Sequence, residues 1–320
     1  MVLSAQDLRG VMGMMPAFTT PDGGDVDATN TIDVDNLKAG VDRMINDGID
    51  VIATTGSFGE FHTLLPEEFE TLVRATVEVV NKRVPLFIGC TSLNSRAALR
   101  KMRLAEEVGA DGVLVGVPFY FPSTVDNAVE FYRQIAERFP KLAIMIYHNP
   151  LLHNVTLPVE AFARLVQSPN VVAMKDSHRT SDEFASLMSI SKGQISVFVF
   201  QTQYPKYAAL GAAGCWSIDA WRGPWPLLAM RDAVQRGDQA AAQQVAADLS
   251  DGTARPPDLS WRETAGKLTI GYAGYCNPGP LRPPFVIVPP EVDQRCRETA
   301  ARWQTLCEKY RPLVRARVPA

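Results

Sequence analysis

Short apolar runs rich in β-branched residues alternate with longer amphipathic segments from about residue 11 to about residue 220. This alternation is typical of repeated strand and helix units around a parallel sheet. The eight apolar runs are 11–18, 51–54, 85–89, 112–117, 143–147, 171–175, 195–200 and 214–218. Segments between them, including 35–47, 66–81, 95–108 and 126–138, carry apolar residues at spacings of three and four. The chain is therefore predicted to form an α/β fold, a (β/α)8 barrel of the TIM type.

Beyond Pro224 the strand pattern stops and helical patterns follow at 238–249, 260–273 and 291–310. The segment 276–284 contains too many prolines for a helix and predicts a defined loop. We expect a barrel in residues 1–223 and a C-terminal helical region in residues 224–320.

Composition narrows the class of protein. The chain is 46% hydrophobic and 21% charged with a formal net charge of -3, which suits a soluble globular protein. Charges of both signs are interspersed, so nucleic acid is not an expected partner. There is no bilayer-length apolar stretch and no signal-peptide pattern, so we expect a cytoplasmic protein without a membrane partner. The five cysteines are scattered and predict neither a metal site nor a disulfide framework, and no cofactor is expected.

Lys175 closes the sixth apolar run and is followed by Asp176 and Ser177. At the carboxyl end of a barrel strand, burial would favour its neutral amine. Such an amine can attack a ketone and form a Schiff base, which withdraws electrons from neighbouring carbon-carbon bonds. Solvated structural lysines are far commoner, so this residue needs support from others.

That support comes from two neighbouring strand ends. Tyr147 closes the fifth run, next to Lys175, where its phenol can move protons to and from the substrate; a packing role is the alternative. The second run leads into Gly56, Ser57, Phe58, Gly59 and Glu60, whose glycines allow backbone amides to converge on an anion. A carboxylate held there would place a neighbouring ketone at Lys175, the geometry that an α-keto acid needs.

These motifs resemble one known family. Residues 56–60 with Thr63 and Leu64, then 147–150, then 175–177, are similar in order and spacing to the dihydrodipicolinate synthase and N-acetylneuraminate lyase superfamily of Schiff-base aldolases. The resemblance implies that Lys175 is the Schiff-base lysine, Tyr147 the proton relay, and Ser57 with the Phe58 and Gly59 amides the carboxylate binder. It also implies a homotetramer in which Tyr120 completes a neighbouring subunit's site.

One departure indicates a branch of that superfamily. Two adjacent hydroxyl residues usually precede the second glycine of this loop, and here Phe58 stands in place of the second of them. Together with 216–221 and 282–285, this loop resembles that of the hydratase-aldolases of aromatic hydrocarbon degradation. The resemblance implies hydration and cleavage of an aryl-substituted pyruvate to an aldehyde and pyruvate. The expected substrate is trans-2'-carboxybenzalpyruvate; trans-o-hydroxybenzylidenepyruvate and a hydroxynaphthylidene pyruvate are alternatives.

The remaining candidates would contact the aryl part of the substrate. Trp216 and Trp221 offer apolar faces for a flat ring, although core packing is the alternative for Trp216. Asn277 could position water, or could simply form a turn. His148, Arg222 or Arg282 could bind the ortho substituent, and a guanidinium would favour a carboxylate over a phenol.

Two other functions fit the same residues. One is a dihydrodipicolinate synthase-like or sugar-acid aldolase, against which Phe58 and the tryptophans argue. The other is a regulator that binds a keto acid without turning it over, which would not need both Lys175 and Tyr147.

Overall fold

The computed structural model describes residues 2–250 and 261–314. Eight parallel strands close into a barrel in chain order, and the eighth pairs with the first. The strands are β1 Gly10–Met14, β2 Val51–Ala53, β3 Leu86–Gly89, β4 Gly112–Val115, β5 Ala143–Tyr147, β6 Val171–Lys175, β7 Ser196–Phe200 and β8 Gly214–Ser217. The predicted barrel is confirmed, with strands at all eight apolar runs.

Helices surround the barrel and extend beyond it. Those of the first half are α1 Val34–Asn46, α2 Pro66–Val80, α3 Ser95–Glu107, α4 Val125–Arg138, α5 Pro150–His153 and α6 Phe162–Leu165. Those of the second half are α7 Ser181–Ser191, α8 Tyr204–Ala208, α9 Trp225–Gln235, α10 Gln239–Ser250, α11 Arg262–Ala273 and α12 Pro290–Tyr310. Several begin where a side chain satisfies a free amide: Asp33, Asn94, Thr124 and Thr180 each accept from the third residue beyond.

The helical extension is attached to the barrel by specific bonds. Arg231 of α9 binds the Gly48 carbonyl and the Asp50 carboxylate, both at 2.9 Å, which fixes α9 on the amino-terminal side of β2. The proline-rich loop is attached at the Pro278 carbonyl, which accepts from the Thr19 amide at 3.0 Å. α11 crosses the carboxyl end of the barrel, where Lys267 binds Glu60 at 2.6 Å. The extension therefore forms part of the wall around the barrel mouth.

Candidate active site

Lys175 lies at the carboxyl end of β6 and is only 6% exposed. Its Nζ lies 3.5 Å from the centroid of the Trp216 ring and 4.3 Å from that of the Tyr147 ring. All three side chains line a cavity of about 1430 Å³ at this end of the barrel. The predicted nucleophile is therefore buried between aromatic faces and open to a ligand-sized space.

Tyr147 is brought beside Lys175 by strand register, because the two residues are paired across β5 and β6. Its hydroxyl shares a hydrogen bond of 3.0 Å with the Ser57 Oγ. Three residues that the sequence separates widely thus form one group at the barrel mouth. A phenol in contact with a hydroxyl and next to an amine can pass protons among them.

The loop after β2 is tightly folded. Thr55 and Glu60 have φ values of 41° and 52°, and a Cβ on Gly59 would lie 2.7 Å from the Thr55 nitrogen. No side chain fits there, which accounts for glycine at this position. Ser57 and Phe58 line the cavity. The predicted carboxylate contact of this loop stays a prediction.

His148 holds Asp176 in place. The Leu157 amide donates to its Nε2 at 3.1 Å, so Nδ1 carries the proton and donates to Asp176 at 2.8 Å. Burial opposes ionisation of Asp176, but the hydrogen bond from His148 and the charge of Arg179 outweigh it and lower the pKa. Because both ring nitrogens are engaged within the protein, the structure does not support His148 as a reader of the substrate ring.

His153 was missed by sequence reasoning. It is the last residue of α5, lines the cavity, and packs edge-on to the Tyr147 ring with centroids 4.8 Å apart. Its Nδ1 donates to the Tyr147 carbonyl at 3.0 Å, and burial lowers its pKa to about 4. The ring is therefore neutral at pH 7. Nothing in the local sequence distinguishes it from a surface histidine.

The other side of the cavity is aromatic. The Trp216 Nε1 donates to the Asp176 carbonyl at 3.0 Å, which fixes the indole, and the Phe200 ring lies 5.0 Å away. Phe58 packs against α11, where a Cβ on Gly266 would lie 2.8 Å from its ring. These three rings line the same cavity as Lys175. The predicted contact of Trp216 and Phe58 with a substrate ring stays a prediction.

A polar group adjoins this aromatic surface. Asp219 pairs with Arg222 at 3.0 Å and accepts from the Gln201 Nε2 at 2.6 Å. All three line the cavity, and Arg222 is the one of them that the sequence predicted. Gln201 and Asp219 were not predicted. Each follows the carboxyl end of a barrel strand, and this position could have identified them as candidates.

Two predicted contacts were wrong. Trp221 is fully buried in the core, edge-on to Phe18 with centroids 5.9 Å apart, and does not line the cavity. The short helix after β8 turns it inward, against Gly13. Arg282 is bound to Glu68 at 2.8 Å and to Thr63 at 3.0 Å, so it secures the proline-rich loop instead of facing a ligand.

Two more predicted site residues lie outside the cavity. Asn277 is exposed, and its side chain accepts from the Gly279 amide at 3.1 Å. It therefore forms a turn and does not line the cavity, and the structure does not support its predicted role with water. Tyr120 is 74% exposed and packs edge-on against Phe121, with the ring centroids 5.2 Å apart. It does not reach the cavity of its own chain, and its expected role in a neighbouring subunit stays a prediction.

Within residues 2–250 and 261–314, no group of three or more His, Cys, Asp or Glu side chains is placed to hold a metal ion. The same residues include no helix with the length and apolarity needed to cross a membrane.

The model of the dihydrodipicolinate synthetase family matches residues 11–254. The chain belongs to this family. Trans-O-hydroxybenzylidenepyruvate hydratase-aldolase of Pseudomonas putida is 32% identical over 322 residues, with 96% of each chain covered. Trans-2'-carboxybenzalpyruvate hydratase-aldolase of Nocardioides sp. (strain KP7) is 28% identical over 96% of each chain. The structure described as PhdJ bound to substrate intermediate is 29% identical, with a TM-score of 0.90 over 96% of this chain and 99% of that one.

Membership of the dihydrodipicolinate synthetase family confirms the predicted resemblance and the enzyme class, a carbon-carbon lyase of the aldolase type. It favours an enzyme over the keto-acid-binding regulator.

Proposed function

We propose that this enzyme is a hydratase-aldolase that adds water to an arylidene pyruvate through a Schiff base on Lys175 and cleaves the product to an aromatic aldehyde and pyruvate. One observation carries the proposal: the Lys175 amine lies between the Tyr147 and Trp216 rings, with the Tyr147 hydroxyl bonded to Ser57. Proton-transfer groups and aromatic surface meet at a single buried amine.

The first stage is imine formation. The neutral Lys175 amine attacks the C2 ketone, and loss of water from the carbinolamine leaves a protonated imine conjugated to the arylidene double bond. Tyr147 supplies and removes the protons of this step, with Ser57 as its hydrogen-bond partner. The loop from Gly56 to Gly59 holds the C1 carboxylate, which directs C2 towards the lysine.

The second stage is hydration and cleavage. Water adds at the benzylic carbon C4, and the enamine formed takes a proton at C3. Removal of the new hydroxyl proton then breaks the C3–C4 bond, giving the aldehyde and a pyruvyl enamine. Protonation of the enamine and hydrolysis of the imine release pyruvate and restore Lys175. The overall reaction is balanced: one substrate molecule and one water give one aldehyde and one pyruvate.

The aryl group is proposed to lie against Trp216, Phe200 and Phe58, because a flat ring buries most apolar area against other aromatic rings. We propose trans-2'-carboxybenzalpyruvate as the substrate, since the Arg222 guanidinium at this end favours a carboxylate. The second candidate is trans-o-hydroxybenzylidenepyruvate, which is favoured by the name of the Pseudomonas putida relative.

The test combines trapping and turnover. Borohydride added to enzyme and pyruvate should leave one reduced adduct on the Lys175 peptide, detected by mass spectrometry. Arylidene pyruvates absorb in the near ultraviolet, so their cleavage is followed as loss of absorbance with equal release of pyruvate. Condensation of pyruvate with aspartate semialdehyde is the comparison reaction. An enzyme that performs this condensation and leaves every arylidene pyruvate intact would be a synthase instead.

The proposal extends to assembly and location. We propose a cytoplasmic homotetramer in which Tyr120 enters a neighbouring subunit's site, supported by the 74% and 76% exposure of the adjacent Tyr120 and Phe121. Sedimentation of the purified enzyme should give four subunits, and Tyr120→Ala should shift it towards smaller species.

A further inference from the structure

Arg222 is a buried cation with unused hydrogen-bonding capacity. It is 7% exposed, and its Nη1 lies 3.0 Å from the Asp219 Oδ1. Its Nε is buried with no hydrogen-bond partner in the described parts of the chain. A buried donor without an acceptor is costly, and a guanidinium has five N–H groups to satisfy. Asp219 therefore accounts for only part of what this side chain can bind.

Hydrogen bonds hold the Asp219 side chain in place, and Asp219 in turn positions Arg222. Its Oδ2 accepts from the Gln201 Nε2 at 2.6 Å, and its amide donates to the Ser217 Oγ at 2.8 Å. Ser217 in turn donates to Oε1 of the Gln201 side chain. This network joins the ends of β7 and β8 and gives Arg222 one position. A preorganised cation loses little entropy when it binds an anion.

Arg222 is also in the right place. It lines the same cavity as Lys175, on the side where Phe200 and Trp216 provide aromatic surface. Asp219 and Gln201 line the cavity there as well, but Asp219 is an anion and Gln201 is engaged with Asp219 and Ser217. Arg222 is thus the cation of this polar group.

We infer that Arg222 is the specificity residue for the ortho substituent of the aryl ring, which it reads as a hydrogen-bond acceptor. The inference rests on the proposed function. A carboxylate offers the guanidinium a negative charge and two acceptor oxygens, a hydroxyl offers one acceptor oxygen, and a hydrogen offers none. The expected order of kcat/KM is carboxyl above hydroxyl above unsubstituted.

The alternative is that the pair of Asp219 and Arg222 only stabilises the short helix Asp219–Arg222. In that case substitution of Arg222 would weaken every substrate by the same factor. The two readings therefore differ in substrate preference and not in overall activity.

The experiment measures preference in two independent ways. Turnover gives the ratio of kcat/KM for 2'-carboxybenzalpyruvate over benzylidenepyruvate. Calorimetry gives the dissociation constants of cinnamate and 2-carboxycinnamate, and the ratio of the first to the second is compared. Both compounds lack the ketone and cannot form an imine. Wild type is compared with Arg222→Lys, Arg222→Met and the exposed control Arg236→Met. Arg222→Lys keeps the charge, so a result is available even if Arg222→Met unfolds.

Arg222→Lys should lower both ratios by about tenfold and Arg222→Met by about 100-fold, the scale of a buried charge-assisted hydrogen bond. Arg236→Met should leave them as in wild type. Equal ratios in wild type and Arg222→Lys, or no wild-type preference in binding, would overturn the inference. A wild type that cleaves no arylidene pyruvate would refute the proposed function, while the calorimetric ratios still decide the role of Arg222.

Discussion

The two ends of the cavity are built in different ways. At the proposed keto-acid end, Lys175, Tyr147 and Ser57 are supplied by strand ends and by the loop after β2. Register across β5 and β6 sets the spacing of Lys175 and Tyr147, and a hydrogen bond joins Ser57 to Tyr147. At the proposed aryl end, Arg222 is held by Asp219 in the short helix after β8, and Phe58 packs against helix α11 of the C-terminal region. The proposed reacting groups are thus placed by strand ends and strand register, and the proposed recognition groups by packing between segments that follow the strands. Recognition can change while the reaction is kept.

The largest effect is expected at the keto-acid end. Lys175→Ala removes the proposed nucleophile, and neither the Tyr147 phenol nor the Ser57 hydroxyl can form an imine. We expect no borohydride adduct with pyruvate and no detectable loss of arylidene absorbance. The control Lys206→Ala, at an exposed lysine of α8, should retain both. An undiminished adduct on Lys175→Ala would transfer the nucleophile to another residue.

Tyr147→Phe should leave the amine and its aromatic surroundings in place but remove the hydroxyl bonded to Ser57. Turnover should fall by about two to four orders of magnitude, the usual contribution of general acid-base catalysis, while slow trapping of pyruvate persists. The control is Tyr132→Phe, whose hydroxyl binds the Val115 carbonyl away from the main cavity. Wild-type turnover in Tyr147→Phe would place the proton relay elsewhere.

Residues at strand ends could be predicted from the sequence more reliably than residues in the segments that follow the strands. Lys175 and Tyr147 close apolar runs, so a barrel prediction alone placed both at one end and next to each other. Trp216 and Trp221 lie in one motif but only Trp216 is on a strand. The period-two alternation of strands ends at Ser217, and the short helix that follows turns Trp221 into the core.

Long-range pairing accounts for the other differences. Arg282 and its partner Glu68 are 214 residues apart, so no local pattern shows that this guanidinium is already bound. For Asn277 the sequence leaves both a turn and a contact with water open, and the bond from the Gly279 amide shows that it forms a turn. Local chemistry predicted the reacting groups, whereas tertiary contacts decide which polar side chains remain for the substrate.

The stability of the fold should depend on the buried ion pair that joins α11 to the loop after β2. Lys267 of α11 is 2% exposed and binds Glu60 at 2.6 Å and Thr19 at 2.7 Å. Burial raises the pKa of Glu60, and the Lys267 charge opposes that rise. Lys267→Met leaves Glu60 buried and unpaired, which should lower the free energy of unfolding by about 3–5 kcal/mol in urea denaturation.

Lys38→Met is the matched control, because Lys38 and Glu78 are 35% and 70% exposed at the side chain. An exposed pair of this kind contributes little, so stability should hardly change. Equal effects of the two substitutions would mean that α11 is not held by the buried pair.

His153 predicts a pH dependence at the keto-acid end. Burial lowers its pKa to about 4, whereas in the unfolded chain it is about 6.5. The unfolded state therefore binds the proton first, so the stability is complete above pH 6.5 and falls as the pH is lowered towards 4. Between pH 7.5 and 5 the loss should be about 2 kcal/mol. His153→Gln should lack this part of the pH dependence in urea titrations, and a slope equal to wild type would contradict the assignment.

The smallest effect is expected where α11 meets the aryl surface. In Gly266→Ala the new Cβ would lie 2.8 Å from the Phe58 ring and 3.1 Å from Ile218, so the ring must shift. Overpacking of this kind costs about 1–3 kcal/mol, and the gain in helix propensity, about 0.5–1 kcal/mol, offsets part of it. KM for the arylidene pyruvate should rise by about two- to fivefold, the equivalent of roughly 0.5–1 kcal/mol, with pyruvate trapping unchanged. Gly271→Ala in the same helix is the control, since its Cβ would meet only Pro278 at 3.9 Å. It should stabilise the protein slightly and leave KM as it is, so a rise in KM in both variants would show that α11 acts through its helicity and not through Phe58.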